Sequence, residues 1–302
     1  MRLTVVLGEW LDRPIQADLD VALAADRLGY GEVWIGEMAK LDAPATAAAI
    51  VARTEQIEPC LGPLAVTVRS PAQIALAVAT VAATGRRTHV ALGTSSGAVA
   101  RWHGRSRAGA ADRLATATRD VRALLAGERV DGFRLRQPPD GSTVTVAAFG
   151  ARAVEVAASA DRMVLNMVTV AATKRLAPQH PNTAVWLAAA VDPTPDERRW
   201  MALGYVGYLG APGYAEMFEE AGFGELVAFA RTRPHVKELA ARLPADLLDA
   251  VALVGSEAAI RARIDEYAAA AVTEIGLVVP PLDLATGRRT LETLAPANPR
   301  VC

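Results

Sequence analysis

The feature that most constrains the fold is the regular alternation of short apolar segments with helical segments along the chain. Eight apolar segments have the length and composition of buried strands: Leu3–Leu7, Glu32–Ile35, Leu61–Val68, His89–Leu92, Val144–Ala148, Arg162–Asn166, Ala184–Ala190 and Glu274–Val279. They are mostly continuous apolar runs, which is typical of strands buried on both faces of a parallel sheet. Eight such units predict an α/β fold, a closed (β/α)8 TIM barrel, rather than an open doubly wound sheet.

The segments between these strands carry recognisable helix signals. Ser70 and Thr194 each open a capping box, because a Pro follows directly and a Gln or Glu comes three positions later. The stretch at about 195–250 is mainly helical and longer than one crossover requires, so we expect a helical insertion after the seventh strand. No linker divides the chain, and residues 1–302 are predicted to form a single domain.

Composition excludes several functional classes. The formal net charge of −1 gives no electrostatic reason to bind nucleic acid or an anionic membrane. No apolar run reaches the ~18 residues of a membrane span, and the apolar start of the chain is too short for a signal peptide. The two cysteines, Cys60 and Cys302, form neither a disulfide framework nor a zinc cluster. We therefore expect a cytoplasmic protein without a metal site.

A barrel places its active site at the carboxyl ends of its strands. This rule selects eight short segments: Gly8–Trp10, Gly36–Met38, Val68–Arg69, Gly93–Ser96, Phe149–Arg152, Asn166–Thr169, Val191–Asp192 and Pro280–Asp283. The adjacent Trp102 and His103 follow the fourth of them in a polar loop, although the chain has only five tryptophans and four histidines. Packing of the hydrophobic core does not require a tryptophan and a histidine in a polar loop, so contact with a ligand or an interface is the better explanation.

Two of these segments have the chemistry of an anion site. Phe149, Gly150, Ala151 and Arg152 join a strand to a helix, where free backbone N–H groups and an arginine can bind a phosphate. Thr94, Ser95 and Ser96 offer hydroxyl groups after the fourth strand. An ordinary strand-to-helix turn and an ordinary polar turn are the alternatives, and the residues alone do not decide between them.

Four segments, in order, carry a resemblance to a known family. They are "DRLGYGEVWIGEM" at 26–38, "LGPLAVTVRSPAQIALAVATVAATGRR" at 61–87, "ALGTSSGAVARWHG" at 91–104 and "VTVAAFGARAVEVAASADRMVLN" at 144–166. Together they resemble the luciferase-like monooxygenase superfamily, and within it the branch of oxidoreductases that use the deazaflavin coenzyme F420. The resemblance implies a flavin or deazaflavin lying across the top of the barrel, and often a homodimer.

The resemblance also implies roles for individual residues. It places a non-proline cis peptide bond near Leu64–Ala65, beneath the cofactor ring. Relatives often carry an acid followed by His where this chain has Glu37 and Met38, so the acid is kept and the histidine is replaced. After the fourth strand, sugar-phosphate-oxidising relatives keep a glutamate that Ser95 and its neighbours replace, which disfavours such a substrate.

The predicted site residues fall into three groups. Glu37 and His103 are the candidate catalytic residues. The candidate cofactor-binding residues are Leu64, Ala65, Arg69, Thr94, Ser95, Ser96, Trp102, Phe149, Gly150, Ala151, Arg152 and Asn166. Glu9, Trp10 and Met38 are predicted to line the substrate side. For several of them a structural role stays open: Arg69 can support the following capping box, Asn166 can bond to backbone, and Trp102 and His103 can anchor the loop or meet a partner subunit.

The functional hypothesis is an F420-dependent oxidoreductase that transfers a hydride between the deazaflavin and a small organic substrate. The first alternative is an FMN-dependent luciferase-like monooxygenase on the same barrel. The second is a barrel that binds a cofactor without catalysing a reaction, which the absence of His at position 38 supports. The strand-end loops and the segment at about 193–250 are expected to set the substrate.

Overall fold

Nine parallel strands form the sheet of this protein, and eight of them close a barrel. A computed structural model describes residues 1–297, and Cys302 lies outside them. The strands are β1 (Arg2–Leu7), β2 (Glu32–Ile35), β3 (Glu58–Ala65), β4 (His89–Gly93), β5 (Val144–Ala147), β6 (Arg162–Asn166), β7 (Thr183–Val191), β8 (Leu253–Gly255) and β9 (Glu274–Val278). Strands β1 to β7 pair in chain order, and β9 closes the ring between β7 and β1. The predicted (β/α)8 barrel is confirmed.

Helices surround the barrel and cover its outer face. They are α1 (Ile15–Arg27), α2 (Ala43–Val51), α3 (Pro71–Ala82), α4 (Gly97–Trp102), α5 (Ala110–Leu125), α6 (Ala151–Ala157), α7 (Val170–Leu176), α8 (Pro195–Ala202), α9 (Tyr214–Glu220), α10 (Gly224–Arg231), α11 (Val236–Ala240), α12 (Leu247–Val251), α13 (Glu257–Ala269) and α14 (Ala285–Thr293). Both predicted capping boxes are present, at Ser70 before α3 and at Thr194 before α8. None of these helices is long and apolar enough to cross a membrane.

The chain between β7 and β8 holds five of these helices, α8 to α12. This is the region that the sequence predicts to be mainly helical. It ends at the short strand β8, which the sequence analysis did not predict. Strand β8 pairs with Ala189–Val191 at the carboxyl end of β7, outside the eight-strand ring. The long segment therefore leaves the barrel and returns to it at the same end, the end where a barrel carries its active site.

The interior of the barrel is filled, with charged groups at its amino end. Arg162, the first residue of β6, bonds to Glu32 at 2.7 Å and to Glu274 at 2.6 Å, and all three side chains are almost fully buried. The Arg162 guanidinium also lies 4.1 Å from the ring centroid of Trp34. An apolar layer above includes Val6, Cys60, Ala91, Val164, Trp186 and Val278. The interior of the barrel is therefore closed to a ligand, and the general rule for barrels points to the carboxyl ends of the strands.

Strand β3 differs from its prediction in two ways. It spans Glu58–Ala65 instead of Leu61–Val68, because the chain turns after Ala65, whose carbonyl accepts bonds from the N–H groups of Val68 and Arg69. The cis peptide bond lies at Gly62–Pro63, two residues before the predicted position. Proline is the residue for which the cis form is accessible, which gives the physical reason for the correction. The register of β3 against β4 shifts between Leu61 and Leu64, so the strand does bulge here.

Candidate functional site

The carboxyl ends of the barrel strands bring most of the predicted residues to one mouth. Glu9 and Trp10 follow β1, Glu37 and Met38 follow β2, Leu64 and Ala65 end β3, Thr94, Ser95 and Ser96 follow β4, Phe149 to Arg152 follow β5, and Asn166 ends β6. Trp102 is the last residue of α4, and His103 comes after it. All the strands are parallel, so these residues lie at the same end of the barrel, although their side chains differ in what they contact.

Glu37 and Arg69 are bonded to each other. Arg69 donates to both carboxylate oxygens of Glu37, at 2.9 and 2.8 Å, and also to Asp42 at 2.6 Å. The backbone N–H of Ala43 donates to Glu37 at 3.0 Å. The hydrogen bond from Arg69 to Glu37 is the main cause that raises the pKa of the guanidinium. The pair therefore joins the start of α2 to the end of β3, and a ligand that used either side chain would compete with this contact.

Leu64 and Ala65 offer little surface to a ligand. Leu64 is fully buried and Ala65 is 8% exposed. They pair with Leu92 and Gly93 of β4, which places them beside the turn that carries the candidate hydroxyl groups. Any contact with a cofactor ring is therefore confined to the edge of Ala65 and to the backbone after it.

The turn after β4 combines hydroxyl groups with an arginine. Arg107 donates to the carbonyl oxygen of Ser95 at 2.7 Å and to the Thr94 hydroxyl at 3.0 Å. The Ser96 hydroxyl accepts from the N–H of Val99 and caps α4. In the described part of the chain the Ser95 hydroxyl has no hydrogen-bond partner, so it is the hydroxyl of this turn that stays available.

Four arginines between positions 101 and 113, from α4 to the start of α5, have no acidic partner. Arg101, Arg105, Arg107 and Arg113 are exposed, and none of them forms a salt bridge with any carboxylate of residues 1–297. The Arg101 guanidinium lies over Gly97, where an added Cβ would be 3.4 Å from it. We call these four residues the arginine rim. Their charges are uncompensated, so the rim beside Thr94 and Ser95 attracts anions.

Trp102 and His103 lie on this rim and are not packed into the protein. The Trp102 side chain is 62% exposed, and His103 is also exposed. Met38, which follows β2 two strands away around the ring, is 41% exposed. These positions leave the three side chains accessible to a ligand or a partner, and the predicted ligand contact of Trp102 and His103 stays a prediction.

The segment from Phe149 to Arg152 is engaged by other parts of the protein. Arg152 is exposed and bonds to Glu155 at 2.7 Å and to Asp112 at 3.3 Å. The Phe149 ring stacks on Tyr214, with the ring centroids 4.3 Å apart. The charge of Arg152 is therefore partly compensated, whereas the arginine rim is not.

The segment after β7 lies over the mouth and supplies aromatic rings that the sequence analysis missed. Trp200 stacks on Trp10 with centroids 4.5 Å apart, and the Tyr214 hydroxyl donates to the carbonyl of Asn166 at 3.1 Å. Tyr208 packs edge to face on Tyr214 at 5.0 Å. A signal was present in the sequence, since three of the chain's five tyrosines fall within residues 205–214.

Glycine at position 213 permits this arrangement. Its backbone has a φ of +86°, and a Cβ added there would lie 2.6 Å from the Phe149 ring. Any larger residue would push the segment away from the barrel or displace the ring. Gly213 therefore sets how closely Tyr214 approaches Phe149.

Glu9 is a partly buried acidic side chain at the mouth that stays unpaired. It is partly buried, it follows β1, and its Oε1 lies beside Gly36, where an added Cβ would be 3.5 Å away. Within residues 1–297 no hydrogen bond or salt bridge reaches its carboxylate. Burial raises its pKa to about 7. Burial, and after it the charge of Glu9, raises the pKa of Tyr208.

Comparison with known proteins agrees with this architecture. A family model described as luciferase-like monooxygenase matches residues 7–274. No curated protein matches the chain in sequence. In the described residues no group of three or more His, Cys, Asp or Glu side chains is arranged to hold a metal ion.

Several solved structures are similar in fold. An F420-dependent secondary alcohol dehydrogenase in complex with an F420–acetone adduct superposes with a TM-score of 0.78 at 15% identity, over 97% of both chains. The coenzyme F420-dependent tetrahydromethanopterin reductase from Methanopyrus kandleri gives 0.79 at 14% identity, over 97% of both chains.

A flavin enzyme is also similar. The oxygenating constituent of 3,6-diketocamphane monooxygenase from Pseudomonas putida, in complex with FMN, gives 0.69 at 16% identity, over 98% of this chain and 97% of that one. At such identities these likenesses concern the fold. The family model, which covers most of the chain, carries the assignment: this protein belongs to the luciferase-like monooxygenase family.

Proposed function

We propose that this protein is an oxidoreductase that uses the deazaflavin F420 to transfer a hydride to or from a small organic substrate. The observation that carries the proposal is the arginine rim beside the hydroxyl-bearing turn after β4. The family assignment and the F420-dependent enzymes of similar fold support it.

The charge of the rim favours F420 over FMN. FMN ends in one phosphate, whereas the side chain of F420 continues past its phosphate into a tail that carries carboxylates. One phosphate needs about as many donors as Arg107 and the Ser95 hydroxyl already supply. Arg101, Arg105 and Arg113 add three uncompensated charges to the same rim, and a longer polyanionic side chain would use them.

The remaining residues fit a ring bound across the mouth. When bound, the deazaflavin supplies the hydride chemistry, while the protein supplies position, charge and exclusion of water. Phe149, Tyr214 and Trp102 offer aromatic surfaces near the ends of β5 and β4. Trp10 and Met38 would face the substrate. His103 is accessible for proton transfer, and Glu37 would serve only if Arg69 released it.

The test is a titration of the purified protein with F420 and, separately, with FMN, followed by tryptophan fluorescence. Trp10, Trp102 and Trp200 lie at the mouth and would report either ligand. We expect micromolar quenching by F420 and none by FMN. The reverse result would contradict the deazaflavin and favour the FMN-dependent monooxygenase, for which the FMN-bound neighbour is the supporting observation.

Variants of the rim sharpen this test. Arg105→Gln combined with Arg113→Gln should weaken F420 binding about tenfold, because each exposed charge contact contributes up to ~1 kcal/mol. Arg53→Gln is the control, since Arg53 is equally exposed but follows α2 at the opposite end of the barrel. Equal losses in the two proteins would show that overall charge, and not the rim, binds the cofactor.

A barrel that binds the cofactor without turnover is the second candidate. The Glu37–Arg69 pair and the covering contact of Tyr214 on Phe149 favour it, because both restrict the mouth. Bound F420 that can be reduced chemically, but that no substrate oxidises or reduces, would support this alternative.

A further inference from the structure

We propose that Lys40 and Asp18 are positioning residues for the mouth of the barrel. They form a buried ion pair that holds the backbone after β1 and thereby fixes where the Trp10 ring lies. That this ring faces a substrate rests on the proposed function, whereas its positioning by the ion pair does not. The pair gives the mouth a preformed surface on the side of β1 and β2.

The first support is the set of contacts that the pair makes with the backbone of residues 8–10. Asp18, in α1, accepts a hydrogen bond from the N–H of Gly8 at 3.0 Å. Lys40, between β2 and α2, donates to the carbonyl of Trp10 at 2.9 Å. Its Nζ lies 2.5 Å from the Asp18 carboxylate. The two side chains therefore contact the segment at both of its ends.

The Trp10 ring has two further contacts that depend on its backbone position. Its Nε1–H donates to the carbonyl of Val279, just past β9, at 2.8 Å. The ring also stacks on Trp200, with the centroids 4.5 Å apart. The carbonyl that binds Lys40 also accepts from the N–H of Arg13 at 3.1 Å, so the chain turns directly after Trp10. A shift of this backbone would move the ring away from both of its partners.

The second support is that the ion pair is closed to ligands. The side chains of Lys40 and Asp18 are 9% and 6% exposed. Together with Trp10 and Arg13 they line a cavity of about 10 Å³, which has room for about one water molecule. An organic ligand cannot enter a space of this size. The charge of Lys40 therefore acts on the protein's own backbone and not on a substrate or a cofactor.

The third support is the small net stabilisation that a buried ion pair gives. Removing two charges from water costs about as much as their attraction returns, and apolar residues of similar volume are often equally stable in their place. Apolar residues could not, however, bond to the N–H of Gly8 or to the carbonyl of Trp10. The stability of the fold alone does not account for the pair, whereas the geometry of residues 8–10 does.

The pair also joins two strand ends that carry predicted substrate-side residues. Lys40 belongs to the segment after β2, two positions past Met38, and it contacts Trp10 in the segment after β1. The two segments run close together, since a Cβ added at Gly8 would lie 2.6 Å from the carbonyl oxygen of Gly36. One buried contact thus sets the position of Trp10 relative to the segment that carries Met38.

The test follows the indole N–H groups of the five tryptophans by heteronuclear NMR, and Trp10→Phe identifies the cross-peak of Trp10. A double variant, Lys40→Met with Asp18→Asn, removes the ion pair without leaving one buried charge behind. Hydrogen exchange at Trp10 Nε1 should become about tenfold faster, because the bond to Val279 opens more often. Exchange at Trp34 Nε1, which donates to Glu274 inside the barrel, should not change.

The matched control removes an exposed ion pair in the same way. Arg175→Met with Glu220→Gln takes away a pair that is about half exposed on both sides, and the Trp10 cross-peak should stay as it is. If the first double variant does not fold, Lys40→Arg takes its place. Arginine keeps a charge beside Asp18, but its larger head group does not fit a cavity of about 10 Å³ and should also displace the Trp10 backbone.

Two results in the variant that folds would overturn the proposal. One is unchanged hydrogen exchange at Trp10. The other is an equal acceleration at Trp34, which would mean that the pair stabilises the whole barrel and does not position one ring.

A titration of the same samples with F420 separates this proposal from the proposed function. The double variant should bind F420 within about twofold of the wild type, because the arginine rim follows β4 and shares no contact with the ion pair. A wild type that does not bind F420 would refute the deazaflavin, and the NMR result would still decide whether Lys40 and Asp18 position Trp10.

Discussion

The two ends of the barrel differ in whether their buried carboxylates have partners. At the amino end, Glu32 and Glu274 share the guanidinium of Arg162, and Trp34 and Thr4 donate further bonds to Glu274 at 2.9 Å. At the carboxyl end, Glu9 has no partner in the part of the chain that the structure describes. Both carboxylates at the amino end are paired, whereas the Glu9 carboxylate at the mouth is not. An unpaired, partly buried carboxylate is typical of a ligand-binding site.

The largest expected effect is the loss of stability when the buried arginine at the amino end is replaced. Arg162→Met should destabilise the protein by about 3–5 kcal/mol, because two buried carboxylates would lose their buried partner and keep only the half-exposed Arg2. Urea denaturation measures this loss. The matched control is Arg175→Met, whose pair with Glu220 is about half exposed on both sides and should contribute less than ~1 kcal/mol. Similar losses in the two variants would show that the amino-end network is no more important than a surface pair.

Removing the charge of Glu9 at the mouth should raise the free energy of unfolding instead of lowering it. The pKa of Glu9 is raised to about 7 in the folded protein, above the ordinary value for an unfolded chain. Below the unfolded pKa, Glu9 is protonated in both states and does not destabilise the folded protein. As pH rises through 7, the buried side chain loses its proton and the free energy of unfolding falls. Glu9→Gln should therefore stabilise the protein by about 1–3 kcal/mol at pH 8 and by little at pH 4.

Denaturation curves of the wild type and Glu9→Gln at the two pH values test this prediction. A variant that is less stable at pH 8 would mean that Glu9 has a stabilising partner in solution. A gain in stability at pH 8 that is absent at pH 4 would show that the protein gives up stability to keep this carboxylate at the mouth.

The smallest expected effect concerns Gly213, in the segment after β7 that lies over the mouth. Gly213→Ala should cost about 1–2 kcal/mol, because alanine is strained at a positive φ and its Cβ would meet the Phe149 ring. Gly204→Ala is the control, since nothing lies within 4 Å of a Cβ at that position and its φ is not positive. Thermal unfolding compares the two, and equal shifts would show that Tyr214 does not pack closely on Phe149.

The architecture could be predicted from the sequence because the strands and helices of a barrel follow from local patterns. Apolar runs, capping boxes and glycine stops act within one element, and all eight ring strands were found from them. The strand β8 was missed because three residues carry too little periodicity. The end of β3 was misplaced because the apolar run at 66–68 continues past Ala65, where the backbone turns.

The site was predicted less completely. Local rules placed Glu37, Arg69, Thr94 and Ser95 at the mouth, and the structure agrees with those positions. They did not show that Arg69 and Glu37 bond to each other, or that Arg107 reaches Thr94 from 13 residues away. The aromatic cover from the segment after β7 was also missed, since nothing in its local pattern says where it docks.

The sequence by itself determined the barrel, the end of it that carries the candidate site and the types of side chain brought there. Only the tertiary structure decided which of those side chains are free. Ion pairing depends on distances between strand ends that are far apart in the chain, as in the contact between Arg69 and Glu37, 32 positions apart. Protonation depends on burial by other elements, and for Glu9 that burial is a property of the assembled mouth.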